Sequence, residues 1–236
     1  MHWPRPTPFG AVRMNRKTGM IDYAARRHLM VESQLRPSAI EDERLLQAMG
    51  TVPRETFLPP ALKGVAYGDE DIPFGSGRNL IEPLVLGKLL QSAAVRPGDS
   101  VLLIGCTTGY SAAVLTRLAR VVFMMDEDQE RLGATERVLH ELGDEKVVAV
   151  HADPAAGFLA HAPYDVIVIA GAVRQVPEAL KSQLADGGRL VTVLRSGRAG
   201  KIAVVTRVGS VFGMVTPFDA AAPEVPALRP APTFTF

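Results

Sequence analysis

Cysteine is almost absent from this 236-residue sequence, in which Cys106 is the one thiol. That excludes an internal disulfide and a cysteine-rich metal site, and it suits a reducing compartment. Strong charge of either sign is missing as well. Twenty-six Lys and Arg against 25 Asp and Glu leave +1, so no global field argues for nucleic acid or a membrane surface as partner. No apolar run approaches the roughly 20 residues that span a bilayer. His2, His28, His140, His151 and His161 show no short ligand spacing, so no metal is expected. No serine sits in a Gly-x-Ser-x-Gly nucleophile elbow.

Residues 1–19 carry Arg5, Arg13, Arg16 and Lys17 without an acid, and Pro4, Pro6 and Pro8 work against a helix. A secretory signal needs an apolar core of about 7–15 residues, and this segment has none. It reads as a flexible extension, with a mitochondrial targeting remnant as the other use of its charge. The expected location is the cytoplasm.

Helical periodicity begins at Ile21 and stops before Pro37, and a short helix through Leu45, Leu46 and Met49 ends at Gly50. The proline-rich stretch from Val52 to Pro60 reads as a packed connector with Phe57 and Leu58 as core plugs. An acidic turn, Asp69-Glu70-Asp71, leads into the Gly/Ser-rich loop Ile72 to Asn79, of the kind that often covers a ligand. Pro83 suits a first helical position, and the helix runs on to Ala94.

From Ser100 onward strands and helices alternate. Val101-Leu102-Leu103-Ile104 runs into the small-residue turn Gly105-Cys106-Thr107-Thr108-Gly109 and then a helix from Ser111 to Leu118. Further strands fall at Val121–Met125, Val147–Val150, Asp165–Ile169 and Leu190–Leu194, with helices over Leu132–Leu142 and from Val176 to a stop at Gly187-Gly188. Lys201–Val208 and Ser210–Val215 form a hairpin. This order predicts an α/β, doubly wound, mostly parallel sheet ending in a β-hairpin. The division is a flexible extension 1–19, a helical and loop segment 20–99, the alternating core 100–217, and a Pro/Ala-rich tail 218–236 running irregularly over the surface.

In such sheets ligands bind at the carboxyl ends of the strands. Three ends matter here. Gly105 to Gly109 presents backbone N–H groups and a helix start to a nucleotide-like ligand. Asp126, about 20 residues from the glycine turn, stands where a carboxylate accepts from two ribose hydroxyls. Asp153 either meets the edge of a base or caps a helix. Cys106 at a helix start either carries a lowered pKa or packs as a small residue beneath the ligand.

The chain resembles the protein-L-isoaspartate O-methyltransferase family from about Met20 onward, with wording closest to its alphaproteobacterial branch. The resemblance rests on Met30-Val31-Glu32-Ser33-Gln34-Leu35, Val52-Pro53-Arg54-Glu55-Thr56-Phe57, Ala66-Tyr67 with Ile72 to Gly77, Gly109 to Leu115, Pro163 to Ile167, Val176 to Leu180 and Gln183 to Leu190. It implies a Rossmann-like class I methyltransferase fold with seven strands. It also implies S-adenosylmethionine as cofactor and a protein or peptide carboxyl as acceptor, methylated to start repair of an isoaspartyl residue. By that resemblance Gly105 to Gly109 passes under the methionine part, Asp126 takes the ribose, Asp153 lies near adenine, and the loop Gly75 to Pro83 covers the acceptor.

The sequence departs from the family at three places. Thr107 holds the middle glycine position, Leu103 replaces an acid two residues before the first glycine, and Ile81-Glu82-Pro83 stands where active members have Ser followed by Gln or Ala and Pro. Isoleucine donates no hydrogen bond to a carboxylate, and Glu82 repels one. Three readings follow: a working isoaspartyl methyltransferase, a methyltransferase in which Glu82 serves a cationic or hydroxyl acceptor, and a non-catalytic subunit binding a protein partner. The three losses together weigh toward the last.

Overall fold

Val101 to Ile104 has no polar side to turn towards water, and the chain places it at the centre of a seven-stranded sheet. The structure is a computed structural model that describes residues 21–73, 75, 77–105, 108–197 and 199–229. The extension 1–19, Cys106, Thr107 and the last seven residues of the tail lie outside the described residues.

The N-terminal elements start on side-chain caps. Helix α1 (Tyr23–Met30) begins where Asp22 accepts from the Ala25 N–H at 3.0 Å, and α2 (Glu43–Thr51) where Asp42 accepts from Arg44 and Leu45. The loop of residues 72–80 closes on a two-residue ladder between β1 (Ile72–Pro73) and β2 (Asn79–Leu80). Helix α3 (Pro83–Ala93) starts on a proline and ends on Ala94, which is left-handed at φ 46°. Arg189 holds that end by donating to the carbonyls of Ala93 and Ala94 while pairing with Asp99 at 2.8 Å.

The remaining elements are β3 (Ser100–Ile104), α4 (Tyr110–Thr116), β4 (Val121–Asp126), α5 (Gln129–Glu141), β5 (Val147–His151), β6 (Tyr164–Val173), α6 (Glu178–Ser182), β7 (Leu184–Ser196), β8 (Ala199–Val208) and β9 (Val211–Asp219). The sheet order is β5-β4-β3-β6-β7-β8-β9, parallel from β5 to β7 and antiparallel at β8 and β9. The expected sheet and terminal hairpin are therefore present.

Alternation along β3 sorts the two cores. Val101 and Leu103 pack with the N-terminal helices and α4, and Leu102 and Ile104 pack with Phe123, Ile167 and Leu180 on the other face. Each such buried side chain contributes roughly 1.5–3 kcal/mol, so a strand covered on both faces is apolar throughout. Phe57 and Leu58 are core plugs as expected.

Two expectations need correction. The helix after Val176 covers only Glu178–Ser182, and Gly187-Gly188 lies inside β7, where pairing with β6 shifts register between Tyr164 and Val166. The described part of the tail does not run loosely over the surface. Ala172 N–H donates to Pro223 at 2.8 Å, Val225 N–H donates to Ala172 at 2.9 Å, and Val225 and Leu228 are buried. A backbone edge left open on β6 supplies those bonds, which composition does not reveal.

Gly109 is the residue that lets the turn enter α4. Its φ is +90°, and a Cβ there would lie 2.6 Å from Thr135 Cγ2 and 3.3 Å from the Phe57 ring. Gly109→Ala is expected to cost about 1–3 kcal/mol of stability in urea unfolding. Gly98→Ala, at an open position with nothing within 4 Å, is the control and should stay within about 0.5 kcal/mol.

Candidate functional site

The strands that run parallel all end on one side, and there a cleft of about 350 Å³ opens between β3, β4 and the tail. Gly105, Met125, Asp126, Glu127, Arg131 and Pro154 line it, with Gly77 from the loop and Val225 to Ala227 and Arg229 from the tail. A somewhat larger hollow of about 420 Å³ lies among α1 and α2, lined by His28, Arg36 and Glu43, away from every strand end. The strand-end cleft is the one that brings Gly105 and Asp126 together.

Gly105 ends β3 at φ +78°, where the chain leaves the sheet. Thr108 Oγ1 accepts from the Tyr110 N–H at 3.3 Å and so braces the first turn of α4. Cys106 and Thr107, between these points, lie outside the described residues.

Asp126 is buried at the end of β4 and already well supplied with donors. Oδ1 accepts from the Asp128 N–H at 2.9 Å and Arg131 Nη2 at 2.6 Å, and Oδ2 accepts from Arg131 Nε at 2.8 Å. Two parallel bonds from one guanidinium make this a bidentate pair. The hydrogen bond to Asp126 raises the Arg131 pKa. Asp128 is held below the usual carboxylate range, chiefly by the Arg131 N–H bond to it. Arg78 lies in the same field: burial and Arg131 lower its pKa, and Asp128 and Asp126 oppose them.

Asp153 is exposed, and its Oδ1 accepts from the Ala155 N–H at 2.9 Å. It caps a turn rather than a helix, and its neighbour Pro154 is the residue that reaches the cleft wall. Leu103 is fully buried between Met124 and Val168 in register. An acid there would need donors from an apolar layer.

The loop leading into α3 is fixed from below. Arg54, fully buried, donates from Nε to Ala66 at 2.6 Å and from Nη2 to the Ile81 carbonyl, with its guanidinium 4.8 Å from the Tyr110 ring centre. Burial without a paired carboxylate lowers its pKa. Ile81 is buried, and the Glu82 N–H donates to Asp71 Oδ1 at 2.9 Å. Burial raises the Glu82 pKa, with Asp71 and Asp69 adding to it, and burial raises Asp71 as well.

Sequence reasoning missed Arg131, Arg54 and Val225. Arg131 lies five residues beyond Asp126, a spacing that a helix cap at Asp128 turns back towards the strand end. An arginine set between Val52-Pro53 and Glu55-Thr56, as Arg54 is, signals a buried guanidinium only when a carbonyl-lined turn waits for it. Among the described residues no group of three or more His, Cys, Asp or Glu side chains is placed to hold a metal ion, and no helix is long and apolar enough to cross a membrane.

Residues 25–214 match the family described as Protein-L-isoaspartate(D-aspartate) O-methyltransferase (PCMT). A protein-L-isoaspartate O-methyltransferase of Koribacter versatilis is 38% identical over 186 residues, 78% of this chain and 83% of its own length. One from Methylorubrum extorquens is 38% identical over 201 residues, 81% of this chain and 88% of its own. In structure the chain is similar to a putative protein-L-isoaspartate O-methyltransferase from Plasmodium falciparum in complex with S-adenosyl-L-homocysteine. The TM-score is 0.71 at 13% identity, covering 87% of this chain and 98% of that one, a likeness of fold. With a family match spanning most of the described sheet and relatives aligned over more than three quarters of its length, this chain belongs to the protein-L-isoaspartate O-methyltransferase family.

Proposed function

We propose that this chain is an S-adenosylmethionine-dependent carboxyl O-methyltransferase that accepts an isoaspartyl residue of a protein or peptide. The observation that carries the reading is the pairing of a close-approach turn at Gly105 with a buried strand-end carboxylate, Asp126, in one cleft. Its volume falls in the range of roughly 300–1,000 Å³ usual for small-molecule sites. A Cβ at Gly105 would stand 2.9 Å from Val225 Cγ2 and 3.3 Å from the Ala170 carbonyl, and the positive φ adds to the requirement for glycine at this turn. A carboxylate offers about four lone-pair positions, and Asp126 uses three. That leaves about one acceptor position for a ribose hydroxyl, and more would open if Arg131 turned away. Met125 supplies an apolar surface beside them. These residues fit the cofactor of the family.

When bound, that cofactor supplies a methyl group on a positively charged sulfur. A carboxylate acceptor is ionised near neutral pH and needs no general base, so the protein's task is to orient it and exclude water. Arg54 serves that task by holding the Ile81 carbonyl and the loop. The absent serine hydroxyl at Ile81 removes one hydrogen bond to a charged group, worth roughly 1.5–3 kcal/mol, or about 10–150-fold in rate. That is a slower enzyme, not an inert one. Family membership and the retained Gly105, Gly109 and Asp126 shift the balance away from the non-catalytic reading. A cytoplasmic location completes this proposal; the Koribacter and Methylorubrum relatives named above are bacterial.

A second reading keeps the methyl donor and changes the acceptor to a cation, favoured by Asp69, Glu70, Asp71 and Glu82 gathered beside the acceptor loop. Methyl transfer measured side by side on an isoaspartyl peptide and on lysine-containing peptides separates the two.

Calorimetric titration with S-adenosylhomocysteine should give micromolar binding, weakened about 10–150-fold by Asp126→Asn in protein shown to be folded by circular dichroism. No binding by the unaltered chain at millimolar ligand would sink the proposal. The raised Glu82 pKa also sets a pH dependence. Its carboxylate repels a carboxylate acceptor, and that repulsion falls as pH drops through the raised pKa. Transfer to an isoaspartyl peptide should therefore rise on acidification, and Glu82→Gln should give about a three- to tenfold higher rate at neutral pH with a flatter profile.

A further inference from the structure

We infer that Val225, on the C-terminal strap, is the residue that gates acceptor access to the cleft. This rests on the methyltransferase reading above. The strap takes a defined place in the sheet. β3 and β6 pair up to Ile104 opposite Ile169, after which β3 ends and β6 continues to Val173. On its far side Ala172 pairs with Val193 of β7. On the side β3 has vacated, Ala172 forms a parallel bridge with Glu224. The strap thus extends the line of β3 past the glycine turn, in the direction β3 itself ran.

The seat is shaped for one side chain. A Cβ at Gly105 would lie 2.9 Å from Val225 Cγ2, and a Cβ at Gly171 would lie 2.6 Å from it and 2.9 Å from the Pro223 carbonyl. Two glycines from different strands leave the socket that Val225 fills. Leu228 anchors the far end in the core, and Glu224 pairs with Arg174 at 2.9 Å and Arg229 at 3.2 Å.

Seated there, Val225 divides the site. On one side is the 350 Å³ cleft with Asp126 and Arg131, and on the other is the space beside Asn79 and Ile81. Both are bounded by Gly77, Gly105, Val225 and Pro226, and the acceptor-side space is about 20 Å³. That holds about one water and no carboxyl group. A protein acceptor reaches the cleft only when the strap lifts. Two backbone bonds, the side chains of Val225 and Leu228, and two ion pairs from exposed arginines to Glu224 hold it, a short set of contacts that opens locally without unfolding the sheet.

The test compares the full chain, full-length Val225→Ala, and a chain ending at Ala222. Each is measured for S-adenosylhomocysteine binding by calorimetry and for steady-state methyl transfer to an isoaspartyl peptide. Expected for Val225→Ala is at least a tenfold rise in kcat/KM for the peptide, mostly through KM, with S-adenosylhomocysteine affinity within threefold of the parent. The shortened chain should show the same or a larger rise if its melting profile is intact, and Val225→Ala decides the matter if it is not. Unchanged or reduced transfer with binding retained overturns the gate alone. A tenfold gain in S-adenosylhomocysteine affinity without a gain in transfer also overturns it, placing Val225 over the cofactor instead. Loss of binding in all three chains overturns the methyltransferase reading and the gate with it.

Discussion

Two neighbouring parallel strands of unequal length set the terms for this molecule. β3 stops at Ile104 because Gly105 turns the chain at a positive φ, and β6 runs on to Val173. The overhang leaves one edge of β6 without its partner beyond Ile169. A buried N–H or C=O has to be satisfied, and the strap from Pro223 meets that requirement at Ala172. The step also makes the cleft, since the space above the shorter strand is where Gly105, Asp126 and the strap face one another. Ligand site and strap therefore share one cause.

Arginines holding backbone carbonyls keep the surroundings of this step in place. Arg189 reaches from β7 to the end of α3, and the left-handed Ala94, unfavourable for a residue with a Cβ, is kept by those bonds. Arg54 does the same beneath the loop leading into α3, joining Ala66 to Ile81. A planar guanidinium reaches two carbonyls of fixed separation at once, which lysine does not. The fully buried Arg54 has no carboxylate partner among its hydrogen bonds, so its charge is balanced by carbonyl dipoles, the face of Tyr110 and the more distant Asp71. The loop leading into α3 is consequently part of the rigid core at Ile81.

The sheet was legible in the sequence because strands covered on both faces must be apolar throughout, and Val101 to Ile104 and Val166 to Ile169 are. The strand-end positions of Gly105 and Asp126 followed from the topology such runs impose. What stayed hidden depends on contacts distant in sequence or on competition between local bonds. Val225 meets Gly105 across 120 residues of chain, and Pro and Ala around it carry no periodicity to announce a strand. The helix after Val176 gave way to a strand because residues from Leu184 onward gain pairing with β6, a tertiary gain that outweighs local preference. Asp153 follows β5 with its carboxylate accepting from the Ala155 N–H two residues away, a local bond that strand order does not reveal.

The charges of the cleft also bear on how a neutral diol would enter it. Asp126, Asp128, Arg131 and Arg78 form a group with as many positive as negative members, so binding need not bury an unpaired charge. On the proposed reading a ribose would compete with Arg131 for one carboxylate, and Arg131, 3.7 Å from the more exposed Asp128, has a second partner to turn to. An exchange of that kind would leave Arg131 against a carboxylate while a hydroxyl donor takes its place at Asp126. The bidentate pair that looks like an obstacle is, on this account, what keeps a buried strand-end carboxylate tolerable while no ligand is present.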